Sequence, residues 1–230
     1  MRRSLFPHFR RSLRVPGPAA AAAAVPAFFP GGAAFPGGGP APTPAPELLR
    51  ASSPALRERL SRSAAVFAAF VSPEEGAALL RDAEEALRRR RYEDGHWDGA
   101  ISGFREAERS RWGAAGAAVL QRMSCAFPPA RPPLPHSHIL DLAPHGCVRP
   151  HIDSTKFCGC TIAGVSLLSA AVMRLRSVRD PREWAELLLE PLSLYVLRAP
   201  QHPIGPYRAP QSPTEPHTAP QHPIQPHRAP

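Results

Sequence analysis

Proline placement constrains this chain more than any other feature. Of 31 prolines in 230 residues, ten fall in 1–46 and ten in 199–230, which leaves eleven for the 152 residues between. Proline has no backbone N–H and a fixed φ, so helix interiors and central strands do not accept it at such density. The sequence therefore predicts a globular region over 47–198 flanked by disordered tails, 1–46 and 199–230. A region of that length buries roughly two-thirds of its unfolded surface. The second tail is a period-ten repeat: RAPQHPIGPY (198–207), RAPQSPTEPH (208–217), TAPQHPIQPH (218–227) and RAP. Proline at about every third position predicts polyproline-like or disordered chain there.

The first tail begins MRRSLFPHFRRSLRV, which is Arg-rich, acid-free and interspersed with apolar residues. That is the pattern of a mitochondrial transit peptide, so 1–46 reads as transit peptide plus low-complexity linker, and the matrix as the destination. The net charge of +9 divides unevenly: 1–46 contributes +5, 199–230 contributes +1, and the middle keeps +3 (9 − 5 − 1). A basic nucleic-acid-binding face does not follow from that middle value. No stretch approaches the roughly 18–20 apolar residues of a membrane-spanning helix. Cys158-Gly159-Cys160 lacks the spacing of a zinc or thioredoxin motif, so the four cysteines are expected as free thiols.

Ser72-Pro73-Glu74-Glu75 predicts a helix start, with Ser72 as N-cap, Pro73 at the first position and Glu75 closing a capping box. Arg88–Arg91 would complement the far end of its dipole. Phe104, Ala107, Trp112, Ala115, Val119 and Leu120 predict a second helix over about 103–122. Asp94-Gly95-His96 reads as a turn. From residue 136 short apolar runs separated by Pro and Gly predict strands near 137–142, 148–153, 160–168, 172–177, 185–189 and 193–198. His136 and His138 read as structural, and Lys156 as a carboxylate partner near a site.

Within that part lies Arg149-Pro150-His151-Ile152-Asp153. On extended chain, residues two apart project to one face. His151 and Asp153 can therefore grip one ion, as two ligands of the 2-His-1-carboxylate triad used by non-haem iron oxygenases. The stretches RRRRYEDGHWDGAISGFREAERSRW (88–112), HSHILDL (136–142), RPHIDSTKFCGCTIAGVSLLS (149–169), VMRL (172–175) and EWAELLLEPLSLYVLR (183–198) together resemble the mitochondrial AlkB-like dioxygenases. The resemblance implies an α+β fold with a double-stranded β-helix (jelly-roll) core preceded by two helices. It also implies Fe(II), 2-oxoglutarate as cosubstrate, and a mitochondrial address. His151 and Asp153 match the family's first two iron ligands, and Tyr195 matches a tyrosine that contacts 2-oxoglutarate. The implied biology is fatty-acid metabolism and programmed necrosis after alkylation damage, with protein hydroxylation proposed and mitochondrial RNA as another substrate. The substrate is expected to be a protein or small molecule. No aromatic-basic lid of the kind that flips a base is evident, which disfavours nucleic acid.

The jelly roll wants about eight strands, and the chain supplies five or six. The family's distal His falls about a dozen residues after the tyrosine, where this chain has Tyr207; His202 comes early and His217 late. Arg208 and Arg228 sit inside repeats, so no matching arginine is offered to the 2-oxoglutarate carboxylate. The expectation is an incomplete core that reads as a truncated family member, binds iron weakly and does not turn over. The alternatives are a non-catalytic interaction protein, docking through 88–112 or the proline tail, and an RNA-modifying member of the family.

Overall fold

The computed structural model describes residues 9–13, 28–29, 35–36, 40–153 and 159–198. Lys156, Cys158, most of the leader and residues 199–230, with Tyr207 and the tail histidines, lie outside the described residues. In chain order the strands are β1 (Phe9–Leu13), β2 (Leu49–Ala51), β3 (Ala64–Phe67), β4 (Ile101–Arg109), β5 (Ser137–His151), β6 (Thr161–Val165), β7 (Ala171–Ser177), β8 (Trp184–Leu189) and β9 (Leu194–Arg198). The helices are α1 (Pro54–Leu60), α2 (Pro73–Leu87) and α3 (Ala114–Ser124).

The strands form a six-stranded sheet, β2-β8-β7-β1-β5-β4, and a three-stranded sheet, β3-β9-β6. Val66, Met173, Leu175, Leu187, Tyr195 and Leu197 join in one core cluster that draws on both sheets. The result is the expected α+β architecture with antiparallel sheets and a jelly-roll-like core. The outer face of the smaller sheet (Phe67, Val196) is covered by Leu79 of α2, Val119 of α3, and Phe28 and Phe29 from the N-terminal segment.

β1 is the exception in pairing. It runs parallel to β5 on one side and to β7 on the other, whereas every other strand pair is antiparallel. Strands β5 and β7 therefore point the same way with one strand position between them. Residues 9–13 of the leader occupy that position, so β5 and β7 do not face each other as open edges. Parallel ladders are slightly weaker per residue than the antiparallel ones around them.

The capping box forms as the sequence predicts: the Glu75 N–H donates to Ser72 Oγ and the Ser72 N–H donates to the Glu75 carboxylate. Arg122 of α3 grips that same carboxylate with two bonds, at 2.6 and 2.7 Å, and holds it below the usual carboxylate range. The helix expected over 103–122 is corrected. Residues 101–109 are strand β4, and the helix begins only at Ala114 after Gly113. Phe104 and Ala107 mimic a helical stripe, yet they lie on opposite faces of the strand. Phe104 packs with Leu140 and Leu142, and Ala107 packs with Ala83 and Leu87 of α2. The polar-looking Arg105 between them is buried as well.

Arg105 is 7% exposed and Asp141, its neighbour across the β4–β5 ladder, is 0% exposed. Arg105 Nε donates to Asp141 Oδ2 at 2.7 Å, and the Tyr92 hydroxyl donates to the same oxygen at 2.7 Å. The other end of the guanidinium reaches Glu84 of α2, at 3.1 and 3.2 Å. Burial opposes the charge on Arg105, but Asp141 and Glu84 outweigh it, and the group is held above its usual pKa. Deleting one partner of such a pair strands the other charge. Asp141→Ala is expected to cost about 3–5 kcal/mol of stability, measured by urea unfolding. A loss under about 1 kcal/mol would show that the pair is not buried as described.

Candidate metal centre

Strands expected separately at 137–142 and 148–153 are one fifteen-residue strand, β5, with an irregularity in its middle. Phe104 pairs with Leu142 and Ser102 with Cys147, so Gly103 alone faces residues 143–146. Pro144 cannot donate to a ladder, and Gly103 takes φ +62°, a left-handed conformation that glycine adopts without strain. The bulge resets the register before the segment that carries His151. Beyond it Arg149 ties β5 to the preceding turn: its N–H donates to the Ala100 carbonyl at 2.6 Å and its Nη1 to the Gly99 carbonyl at 2.8 Å.

His151 and Asp153 come together as the alternation requires. Nε2 of His151 lies 3.0 Å from Oδ1 of Asp153, while Ile152 between them is 62% exposed. His151 Nδ1 is 2.9 Å from the Arg149 carbonyl oxygen. A carbonyl only accepts, so Nδ1 donates to it, and Nε2 faces the carboxylate at ion-pair distance. Orienting a ligand imidazole through its other nitrogen is how metal-binding histidines are held. Two ligands at right angles, each about 2.1 Å from an ion, stand about 3.0 Å apart. The pair therefore has the separation of one edge of an octahedral site.

Among the described residues no group of three or more His, Cys, Asp and Glu side chains is arranged to hold a metal. His96 sits 2.7 Å from Asp98. The Ala100 N–H and then His96 hold the Asp98 carboxyl below the usual range, with a smaller contribution from His151. His138 contacts Glu106 at 2.9 Å, the structural role expected of it. Cys125, Cys147 and Cys160 are free thiols.

Tyr195 lies on the other sheet, as the second residue of β9, 7% exposed and paired with Gly164 of β6. A Cβ on Gly164 would stand 2.5 Å from Tyr195 Cε1 and 2.7 Å from its hydroxyl oxygen. The glycine leaves the space in which the phenol lies flat across β6. Sequence reading missed Gly164 and the carbonyl of Arg149. A glycine within a strand does mark close approach, but a backbone carbonyl leaves no trace in residue identity.

No family model matches the chain. It is 54% identical over 151 residues, 65% of this chain and 68% of the relative, to the Bos taurus protein named alpha-ketoglutarate-dependent dioxygenase alkB homolog 7, mitochondrial. Against the Mus musculus protein of the same name it is 52% identical over the same shares.

Gly164→Ala is expected to rotate the Tyr195 ring out of its place and cost about 1–3 kcal/mol, the usual penalty of overpacking. Urea unfolding with near-ultraviolet circular dichroism measures both. An unchanged aromatic spectrum would show that the ring does not depend on this gap.

Proposed function

The chain belongs to the mitochondrial alkB homolog 7 family of alpha-ketoglutarate-dependent dioxygenases, and on that premise we propose that it is a matrix protein built around a ferrous-iron and 2-oxoglutarate site. His151 and Asp153 are the protein ligands of the iron, and Tyr195 contacts the cosubstrate. The observation that carries this reading is the 3.0 Å separation of His151 Nε2 and Asp153 Oδ1, with the imidazole oriented by the Arg149 carbonyl. When bound, iron with 2-oxoglutarate supplies oxidation of a C–H bond by O2, with succinate as co-product. The residues of this chain do the rest. Asp153 brings a charge that offsets the cation, His151 presents one nitrogen lone pair, and the Tyr195 hydroxyl offers a hydrogen bond to a carboxylate. Gly164 keeps that hydroxyl in place.

The substrate follows from the family: a protein or small molecule tied to fatty-acid metabolism and programmed necrosis. The domain proposed for this role is 47–198. We further propose that iron binding is weak and turnover absent in this sequence, because the repeat after Arg198 puts Tyr207 where the family has its distal His and provides no matching arginine. A rigid backbone is what makes a histidine a ligand, and ordering a proline-rich segment around one costs about 1–2 kcal/mol per residue.

Anaerobic titration with Co(II), read by its visible absorption, tests the site. Binding is expected in the wild-type chain and is expected to weaken on the order of tenfold or more in both His151→Ala and Asp153→Ala. Equal affinities would remove these two residues from the site. In parallel, 2-oxoglutarate supplied with Fe(II) should yield no succinate above the level of the His151→Ala chain, and His151-dependent succinate would overturn the proposed inactivity.

A further inference from the structure

β1 suits its place in the larger sheet poorly. Its backbone pairs with β5 on one side and β7 on the other, both in the parallel sense. Arg11 stands in register with Leu175 and Leu13 with Ser177. By strand alternation, positions 11 and 13 therefore fall on the face that β7 turns to the core, where Met173 and Leu175 are buried. An arginine at such a position opposes burial. On the other face Arg10 stands beside Arg174 and Ser12 beside Arg176, which sets like charge against like. Glu186 offsets Arg174, whereas Arg176 is exposed and meets no carboxylate among the described residues. The pairing with β5 also slips, from Phe9 beside Val148 to Arg11 beside His151. Anchorage is different further along the chain. Phe28 and Phe29 are buried against the Phe67 ring, and Arg198 Nη2 donates to the Phe28 carbonyl at 2.7 Å. None of those contacts involves β1.

We propose that the position between β5 and β7 is an acceptor for an extended segment of another protein, alternating apolar and acidic residues and running antiparallel to both strands, with β1 as its placeholder. Three features set that chemistry. β5 and β7 point the same way, so a strand between them is parallel to both or antiparallel to both, and antiparallel ladders are the stronger per residue. The core face of β7 carries Met173 and Leu175, which calls for apolar residues at every second position of the occupant. The opposite face carries Arg174 and Arg176, which calls for acids in between, as cross-strand partners. Backbone bonds to two neighbours would supply affinity and the alternating side chains selectivity, as in β-strand addition. The acceptor rests on strand pairing alone. That a bound segment passes the metal centre, because the position runs beside His151, rests on the function proposed above. β1 stays joined through residues 14–27 to the anchored Phe28, so it competes with the incoming segment as a tethered strand.

Three synthetic peptides of seven residues, the length of β7, test this with the full chain. One alternates Val and Glu from a first Val, one holds the same residues in two blocks, and one alternates Val and Lys. Fluorescence anisotropy of labelled peptide reads binding. The Val–Glu peptide is expected to bind on the order of tenfold more tightly than either control. Equal affinities, or no binding, would overturn the acceptor. A photoreactive group on the peptide N-terminus is expected to mark residues near Ser177 or His151, the antiparallel outcome. Marks near Ala171 overturn the direction, and marks away from β5 and β7 overturn the acceptor. Arg11→Leu, which fits β1 better to its own place, is expected to weaken peptide binding on the order of tenfold. Unchanged affinity in that variant would remove β1 as the competitor. A dimer of the chain that the Val–Glu peptide dissociates would assign the position to β1 of a second copy and overturn the proposed partner.

Discussion

The buried pair of Arg105 and Asp141 is the constraint from which the rest of the larger sheet follows. Asp141 is wholly enclosed, and a carboxylate in that position is tolerable only with charge and hydrogen bonds aimed at it. Arg105 and Tyr92 supply both, and Glu84 balances the second end of the guanidinium. Those four residues come from β4, β5, α2 and the loop after α2. Satisfying one buried oxygen therefore fixes the β4–β5 register and docks α2 against it, and any slip would place a charge in the apolar layer formed by Phe104, Leu140 and Leu142.

With that register fixed upstream, the bulge at Gly103 and residues 143–146 determines how the end of β5 is presented. Arg149 then anchors it twice to the turn before β4. The His151–Asp153 pair is consequently held by backbone: the sheet orients the strand, strand alternation brings the two side chains to one side, and a carbonyl sets the imidazole. Tyr195 is placed by an independent device, a cross-strand glycine in the smaller sheet. The residues of the proposed site thus come from two sheets, and Tyr195 is packed in the core with Leu175 and Leu197.

The N-terminal region enters the fold twice, and in both cases it covers something the strands leave open. The six-stranded sheet has a strand position between β5 and β7, and β1 fills it. The three-stranded sheet has an outer aromatic face, and Phe28 and Phe29 complete the layer begun by α2 and α3. Composition gives no hint of this, because a basic leader and an Ala-Gly-Pro linker look unfit for either task.

How much was legible depended on the range of the interaction. The capping box at Ser72–Glu75, five of the strands and the His151-x-Asp153 alternation all follow from residues within a few positions of one another. The family relation was legible in the same way, from motif order. Elements decided by distant partners were not legible. Residues 103–109 carry a helix-like spacing, yet they are a strand because β5 pairs with them and α2 covers Arg105. The strands at 137–142 and 148–151 are one strand because β4 holds both ends. Phe28 is core because Arg198, far along the chain, donates to its carbonyl. Local periodicity and caps were the sequence's to determine; burial of a charge, strand partnership and the covering of open faces were settled only when the chain closed on itself.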